Sequence, residues 1–252
     1  MFVHNIDPVL LSIGPLEIRY YGLVYVLGFI LIYFFLKHFI KKGYLQFNEE
    51  KLDMLMIYSG VGMLLGARIF TYLFWHPEVL VANPLRLFAI WEGGMSFHGG
   101  LFGAAIGGLL FSKKYKVGFY KFADLMVIPA GLLLFLGRIA NFINGELPGT
   151  RSDVSWCVVF PNFEGCRHPY QIYEGLKNLG LSIILFVTFL SNRFREGVLF
   201  WSFILLYSSF RFFIDFLRDE PSVLLGISMG QWLSVVFFAV SVYYLLKVYN
   251  KL

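Results

Sequence analysis

Charged residues are scarce in this sequence. They make up 15% of its 252 residues, whereas 58% are hydrophobic and 19% aromatic, and the mean hydropathy is +0.69. Soluble globular domains carry about 25% charged residues, so this composition excludes an ordinary soluble domain. It is typical of a protein that crosses a membrane several times, and we expect residues 1–252 to form a single membrane-embedded domain.

Several other features are missing as well. The two cysteines and five histidines form no cluster with the spacing of metal ligands, and no stretch resembles a glycine-rich nucleotide loop. We therefore expect neither a metal nor another cofactor. Residues Met1 to Pro8 place no basic segment ahead of an apolar core, so we expect no cleaved signal peptide.

Long apolar runs are what the sequence does contain. Each is near the length of about 20 residues that a helix needs to cross the hydrocarbon layer, which predicts an all-α polytopic fold with about seven transmembrane helices. The runs are Tyr20 to Leu36, Met54 to Phe74, Phe97 to Phe111, Phe122 to Ala140, Leu176 to Leu190, Val198 to Leu217 and Ser228 to Leu246.

The net charge of +5 is distributed over short loops and does not form a patch suited to nucleic acid. The loops after spans one, three, five and seven hold Lys37, Lys41, Lys42, Lys51, Lys113, Lys114, Lys116, Lys121, Arg193, Arg195, Lys247 and Lys251. The opposite side holds Arg19, Arg86, Arg151, Arg167 and Arg218. Because basic loops stay in the cytoplasm, we expect the N-terminus outside and the C-terminus in the cytoplasm. A loop region around 141–172 then faces the outside.

Both cysteines, Cys157 and Cys166, lie in that predicted outer loop. On the oxidising side of a membrane they could form a disulfide or remain free thiols, and the sequence leaves both possibilities open.

Small residues recur within two of the spans. The patterns Gly62-x-x-x-Gly66 and Gly103-x-x-x-Gly107 place glycines on one helix face. They predict helices that approach each other closely.

The stretch from Gly137 to Gly149 carries polar groups to the end of the fourth span. An arginine there costs about 2.5 kcal/mol or more, so Arg138 is expected to face a polar cavity. If the helix continues, Arg138, Asn141 and Gly145 share one face, with Asn144 beside them; Gly145 would end the helix and Glu146 would lie just beyond it. The alternative is an arginine that snorkels to the interface while the amides cap the backbone.

Two further spans contain polar residues. His98 lies in Gly93-Gly-Met-Ser-Phe-His-Gly-Gly100, where flanking glycines leave room for a ligand or a neighbouring helix. A neutral imidazole could accept a thiol proton near neutral pH, although a structural histidine is the alternative. Arg211, Asp215 and Arg218 are spaced to share one face of the sixth span, either as a functional group or as a structural ion pair.

Two guanidinium groups in a low-dielectric cavity favour an anion, and phosphate fits their geometry. The abundant phosphate that can be reached from within a bilayer is a phospholipid headgroup. The residues therefore suggest a lipid phosphate as the ligand.

The strings Gly-Arg-x-x-Asn-Phe-x-Asn-Gly-Glu-x-x-Gly and Gly-Gly-Met-Ser-Phe-His-Gly-Gly closely resemble the motifs of the prolipoprotein diacylglyceryl transferases. Tyr21, the His168-Pro-x-Gln-x-Tyr-Glu174 string and Ile227-Ser-Met-Gly-Gln231 also match, so the resemblance covers most of the chain. It implies a multi-pass enzyme of the bacterial cytoplasmic (inner) membrane with its active site toward the outer side. The implied reaction moves the diacylglyceryl group of phosphatidylglycerol onto the lipobox cysteine of a preprolipoprotein, forms a thioether and releases glycerol 1-phosphate.

The resemblance also implies roles for individual residues. His98, Arg138 and Arg211 would be catalytic, His98 as general base and the arginines as phosphate ligands. The substrate-binding residues would be Tyr21, Asn141, Asn144, Glu146, Gly149 and Arg218. Direct loss of the thiol proton to the phosphate, or an arginine-assisted deprotonation, would fit the same residues.

Other functions remain open at this stage. A transporter of anionic solutes would also use arginines within the membrane, but it should show internal repeats, and none is convincing here. An intramembrane protease would need a Ser–His or Asp–Asp pair; Ser96 and His98 lie too close in sequence, and Asp124 and Asp215 lack suitable flanking patterns. A lipid-binding scaffold without activity could be distinguished from the transferase only by turnover.

Overall fold

The computed structural model describes residues 2–14, 16–74, 76–88, 95–191 and 194–250. Over these residues the protein is mostly helical, because a helix satisfies its own backbone hydrogen bonds inside a bilayer. The helices are α1 (Tyr20–Lys41), α2 (Glu49–Phe74), α3 (Pro77–Ala82), α4 (Phe97–Tyr115), α5 (Phe119–Ile143), α6 (Tyr170–Leu190), α7 (Val198–Ile214) and α8 (Met229–Tyr249). Two 3-10 segments, Pro84–Phe88 and Asp215–Leu217, follow α3 and α7.

Six of the described helices are long and apolar enough to cross a membrane, namely Tyr20–Lys41, Glu49–Leu73, Phe119–Ile143, Tyr170–Leu190, Val198–Leu217 and Met229–Tyr249. They cover six of the seven predicted spans. Helix α4 covers the remaining one with 19 residues, in which glycines, His98 and two lysines interrupt the apolar side chains. The predicted all-α polytopic fold with about seven spans is confirmed, and the direction of the termini stays a prediction.

The distribution of side chains agrees with a membrane environment. Large apolar side chains on the helices are exposed, as shown by Phe213 with 68% of its surface accessible, while Gln171 and Asn178 are buried. In a soluble protein such polar groups would mostly face water. The buried polar residues also explain why α6 starts at Tyr170, although the apolar run predicts a start at Leu176. The first turns of α6 contain polar residues that pack inward.

The chain folds into two compact units. The first unit comprises Met1–Ile32 and Ala123–Leu252, and the second unit comprises Tyr33–Phe122. The prediction of a single domain over 1–252 stays a prediction.

In the second unit, α2 and α4 pack against each other through glycines. A Cβ atom on Gly62 would lie 2.2 Å from the carbonyl oxygen of Gly103, and one on Gly66 would lie 2.2 Å from that of Gly99. No side chain fits at these distances, so the predicted close approach of helices is confirmed.

The first unit also contains short strands, which the apolar runs did not predict. Strands β1 (Phe2–Val3), β4 (Val158–Val159) and β5 (Cys166–Arg167) form one sheet in the order β1-β4-β5, with β1 parallel to β4 and β4 antiparallel to β5. Strands β2 (Val9–Ile13) and β3 (Leu16–Arg19) form an antiparallel hairpin ahead of α1. They were missed because strands of two to five residues give almost no periodic signal.

A disulfide joins Cys157 and Cys166, whose Cα atoms lie 5.5 Å apart. This decides between the two states that the sequence left open. The bond closes the loop that carries β4 and β5.

Two polar contacts hold the ends of helices in the first unit. Asp124 of α5 accepts hydrogen bonds from the backbone nitrogens of Gly197 at 2.6 Å and Phe200 at 2.7 Å, so it caps the start of α7 from another helix. Ser228 and Gln231 form a capping box at the start of α8.

Candidate active site

Arg138 lies near the end of α5, and the chain turns where the sequence predicts. The helix ends at Ile143, and Gly145 adopts a φ of +68°, a conformation that favours glycine. Arg138 Nη1 donates to Asn141 Oδ1 at 3.0 Å, so these two side chains share a face as expected. The guanidinium group of Arg138 turns toward a carboxylate of α6, and its side chain is 20% exposed.

That carboxylate belongs to Glu174, whose side chain is completely buried. Its Oε2 atom accepts from Arg138 Nε at 2.9 Å and Nη2 at 2.8 Å, and from Arg211 Nη1 at 2.6 Å. Its Oε1 atom accepts from Lys177 Nζ at 2.6 Å. One carboxylate thus joins three cations from α5, α6 and α7, which satisfies the rule that buried charges are paired.

Helix α6 approaches α5 closely at this point because the residue after Glu174 is a glycine. A Cβ atom on Gly175 would lie 3.4 Å from Arg138 Cβ and 3.2 Å from Phe135 Cδ2. The small residue therefore lets the backbone carrying Glu174 come within reach of Arg138.

Arg211 has a second carboxylate partner. Its Nε donates to Asp215 Oδ2 at 3.0 Å, one helical turn later, as predicted. The Tyr170 hydroxyl donates to the other oxygen of Asp215, and the Tyr170 ring centre lies 5.9 Å from the Arg211 guanidinium carbon. These contacts hold the guanidinium group in one orientation.

The regular helix that carries Arg211 ends before Arg218. Helix α7 ends at Ile214, residues 215–217 form a 3-10 turn, and Arg218 has an extended backbone. Arg218 Nη1 pairs with Glu220 at 3.0 Å. Its guanidinium carbon still lies 5.9 Å from the Tyr170 ring centre. The helix ends before Arg218, but Arg211 and Arg218 both reach the Tyr170 ring, and headgroup binding by Arg218 stays a prediction.

The two asparagines and Glu146 form an amide shelf beside Arg138. Asn144 Nδ2 donates to Glu146 Oε1 at 2.7 Å, and Asn141 Nδ2 donates to the same atom at 3.4 Å. Gln171 Nε2 donates to the backbone oxygen of Glu146 at 2.6 Å, which ties the shelf to α6. Glu146 lies just past the helix end, as predicted, and its side chain is exposed.

Gly149 lies where two backbone segments pass close together. A Cβ atom there would be 2.5 Å from the Leu217 oxygen and 2.9 Å from His168 Cβ. The buried Arg167 donates to the Gly149 oxygen at 3.1 Å and pairs with Asp219 at 2.6 Å. This packing explains a glycine at the position, and substrate binding by Gly149 stays a prediction.

The remaining predicted residues lie at helix starts. Tyr21 is the second residue of α1 and is partly buried. His98 is the second residue of α4, whose N-cap is Ser96. The His98 side chain lies outside the described part of the chain, and so do Gly93 and Gly94 of its motif, so its role stays a prediction.

The charged cluster comprises Arg138, Glu174, Lys177, Arg211 and Asp215. No role was predicted from the sequence for two of its residues. Glu174 ends the His168-to-Glu174 string, which matches the family without a predicted residue role, and Lys177 lies outside the matched strings. Both could have been identified from the sequence, because both are ionisable residues in an apolar helix. Placing them in the membrane costs free energy, as it does for Arg138.

The same reasoning applies to Arg68 in the second unit. It is almost fully buried, and it donates to Tyr72 Oη at 2.9 Å and to the Arg86 oxygen at 2.6 Å. These contacts tie the segment after α3 to α2.

Chemically, the cluster offers two arginines that are oriented by carboxylates and flanked by amides. Arginine binds phosphate through paired N–H groups, and a guanidinium group held in advance binds without reorganisation. The arrangement is suited to hold an anionic oxygen group.

Comparison with known proteins relates the chain to a family. The family model described as prolipoprotein diacylglyceryl transferase matches residues 8–247. A phosphatidylglycerol–prolipoprotein diacylglyceryl transferase of Geobacter sulfurreducens is 42% identical over 241 residues, covering 93% of this chain and 92% of the relative. Proteins of the same name are 43% identical in Bordetella parapertussis, over 92% of this chain and 91% of the relative, and 37% identical in Dechloromonas aromatica, over 100% and 99%.

Proposed function

Because this multi-pass membrane chain belongs to the prolipoprotein diacylglyceryl transferase family, we propose that it transfers the diacylglyceryl group of phosphatidylglycerol to a prolipoprotein. The acceptor is the thiol of the lipobox cysteine, and the reaction is the first step of lipoprotein maturation. The observation that carries the proposal is the buried carboxylate of Glu174, which holds Arg138 and Arg211 within hydrogen-bonding distance of one oxygen atom.

The reaction forms a carbon–sulfur bond and breaks a carbon–oxygen bond. The cysteine sulfur attacks the glycerol carbon that carries the phosphate, and glycerol 1-phosphate leaves with the bonding electrons. Negative charge therefore grows on the phosphate oxygen as the bond breaks. Arg138 and Arg211 stabilise that charge, and removing one such preorganised donor typically costs about 3 kcal/mol of transition-state stabilisation.

The thiol proton must also leave, since the thiolate is the nucleophile. We assign this proton to His98, whose neutral imidazole accepts protons near neutral pH. Transfer of the proton to the phosphate itself is the alternative.

The other predicted residues act on the headgroup and the lipid. Asn141 and Asn144 donate hydrogen bonds to the headgroup, in addition to their contacts with Glu146. Glu146 orients a glycerol hydroxyl or an arginine, Tyr21 lines the lipid side, Arg218 contacts the headgroup, and Gly149 keeps the backbone close to it.

The protein acts in the cytoplasmic (inner) membrane of a bacterium, with the cluster open to the outer side. The basic residues of the loops support this orientation, because they lie mainly on the side of the C-terminus. The disulfide between Cys157 and Cys166 supports it independently, since disulfides persist in oxidising compartments.

Mass spectrometry tests the proposal directly. A lipobox peptide is incubated with phosphatidylglycerol and the purified protein or its Arg138→Ala variant. We expect a diacylglyceryl mass on the cysteine with the wild type and loss of at least about a hundredfold in rate with the variant. The same assay with His98→Gln should abolish transfer while phosphatidylglycerol remains bound.

No mass shift from well-folded wild-type protein, with phosphatidylglycerol or with other anionic lipids, would overturn the proposal. Transport or simple lipid binding would then become the leading functions. Loss of lipid binding in His98→Gln would show that His98 positions the substrate and is not the base.

A further inference from the structure

Lys177 is a buried lysine within an apolar helix. Its side chain is 4% exposed, its Nζ atom donates to Glu174 Oε1 at 2.6 Å, and it lies 4.0 Å from the centre of the Tyr207 ring. The carboxylate and the ring face both stabilise the ammonium group. A cation at such a place is expensive and is expected to serve a function.

The charges of the cluster do not cancel. Three cations, Arg138, Lys177 and Arg211, are joined to two carboxylates, Glu174 and Asp215. One positive charge is left over in a low-dielectric region. Without Lys177 the same group would be neutral.

Neighbouring charges leave this excess in place. Glu146 is exposed and bound by the two asparagine amides, so water screens its charge much more than the buried charges are screened. Arg218 and Glu220 form a pair that contributes no net charge.

We propose that Lys177 determines lipid specificity by supplying the excess positive charge that makes the cluster select an anionic phosphodiester lipid over a zwitterionic one. It acts through the field of its charge, because its ammonium group is already bound to Glu174. A phosphatidylglycerol headgroup carries one negative charge and neutralises the cluster, whereas a phosphatidylethanolamine headgroup brings no net charge. The inference rests on the proposed function only in taking the cluster as the site of the lipid phosphate.

Three variants separate charge from contact. Lys177→Gln keeps a hydrogen-bond donor for Glu174 and removes the charge, and Lys177→Arg keeps both. The double variant Lys177→Gln with Glu174→Gln removes one cation and one carboxylate, which again leaves one excess positive charge.

The measurement is native mass spectrometry of protein from mixed micelles that contain phosphatidylglycerol and phosphatidylethanolamine. We expect the wild type and Lys177→Arg to retain phosphatidylglycerol preferentially, and Lys177→Gln to lose at least about tenfold of that preference. The double variant should regain the preference even where its turnover is low. Lys114→Met is the matched control, because Lys114 also binds a tyrosine, Tyr58, but belongs to the second unit.

The transfer assay provides a second measurement. In Lys177→Gln the KM for phosphatidylglycerol should rise by about tenfold while kcat changes much less, since the reacting groups remain in place. A general loss of structure would lower kcat as well.

The outcomes distinguish the two proposals. The role of Lys177 is overturned if Lys177→Gln keeps the lipid preference of the wild type. It is also overturned if the double variant folds and does not regain the preference. Neither result affects transfer by the wild type. A wild type that prefers phosphatidylglycerol through Lys177 but modifies no peptide overturns the transferase and leaves the lipid specificity intact.

Discussion

The two units bring helices together within the membrane by opposite means. In the second unit, α2 and α4 meet where side chains are absent, with glycine Cα atoms against backbone carbonyls. In the first unit, α5, α6 and α7 meet through long charged side chains that share the carboxylate of Glu174. The first solution needs only small residues on two faces, whereas the second needs opposite charges at matching depths on three helices.

The difference also separates packing from chemistry. Backbone contacts between glycines stabilise a helix pair and leave no group that can bind a ligand. A cluster of buried ion pairs contributes little net stability but holds guanidinium groups ready for an anion. Substitutions in the two regions should therefore affect different measured quantities.

The largest expected effect comes from Glu174→Gln. The variant leaves Arg138, Lys177 and Arg211 without their shared carboxylate, and breaking a buried pair costs about 3–5 kcal/mol of stability. We expect transfer to fall by more than about a hundredfold and the thermal midpoint in detergent to drop. Glu220→Gln is the control, because the partly exposed Glu220 pairs with Arg218 outside the cluster. Similar losses in both variants would show that the cluster has no special role.

An intermediate effect is expected from Gly103→Ala in the glycine contact. A Cβ atom there would lie 1.9 Å from the Gly62 oxygen, so the helices must separate, at a cost of about 1–3 kcal/mol. The matched variant is Gly180→Ala on α6, where no atom of the described residues lies within 4 Å of the added Cβ atom and a small gain of about 0.5–1 kcal/mol is expected. Thermal unfolding of both variants in the same detergent provides the comparison, and equal midpoints would contradict the tight contact.

The smallest effect is expected from Asp124→Asn. This carboxylate of the first unit accepts hydrogen bonds from two backbone N–H groups at the start of α7. The single side-chain oxygen of an asparagine can replace only one of its two acceptor atoms. We expect a loss of about 1–2 kcal/mol in stability. The control Asp153→Asn changes an exposed aspartate and should stay within about 0.5 kcal/mol. Unfolding midpoints that do not differ would mean that the cap contributes nothing.

Local features of the site could be predicted from the sequence. The shared face of Arg138 and Asn141 and the turn at Gly145 follow from helical spacing and from the backbone freedom of glycine. The helical spacing did not predict the 3-10 turn after Ile214, because no residue in that segment signals a change of helix type.

Long-range features could not be predicted in the same way. Glu174 is visible as an acidic residue in an apolar helix, but which cation it meets depends on how α5, α6 and α7 pack. The short strands around the disulfide were invisible for a related reason, since two-residue strands exist only through their partners.

By itself, the sequence determined the positions of the apolar helices, the glycine spacing of α2 and α4 and the presence of costly charged residues within the membrane. These properties depend on residues a few positions apart, and periodicity expresses them directly. Only the tertiary structure decided that Glu174 joins Arg138, Lys177 and Arg211, that Arg218 pairs elsewhere and that Cys157 bonds to Cys166. Each of those outcomes is a choice among several possible partners, and the choice is made by the faces that pack together when the chain folds.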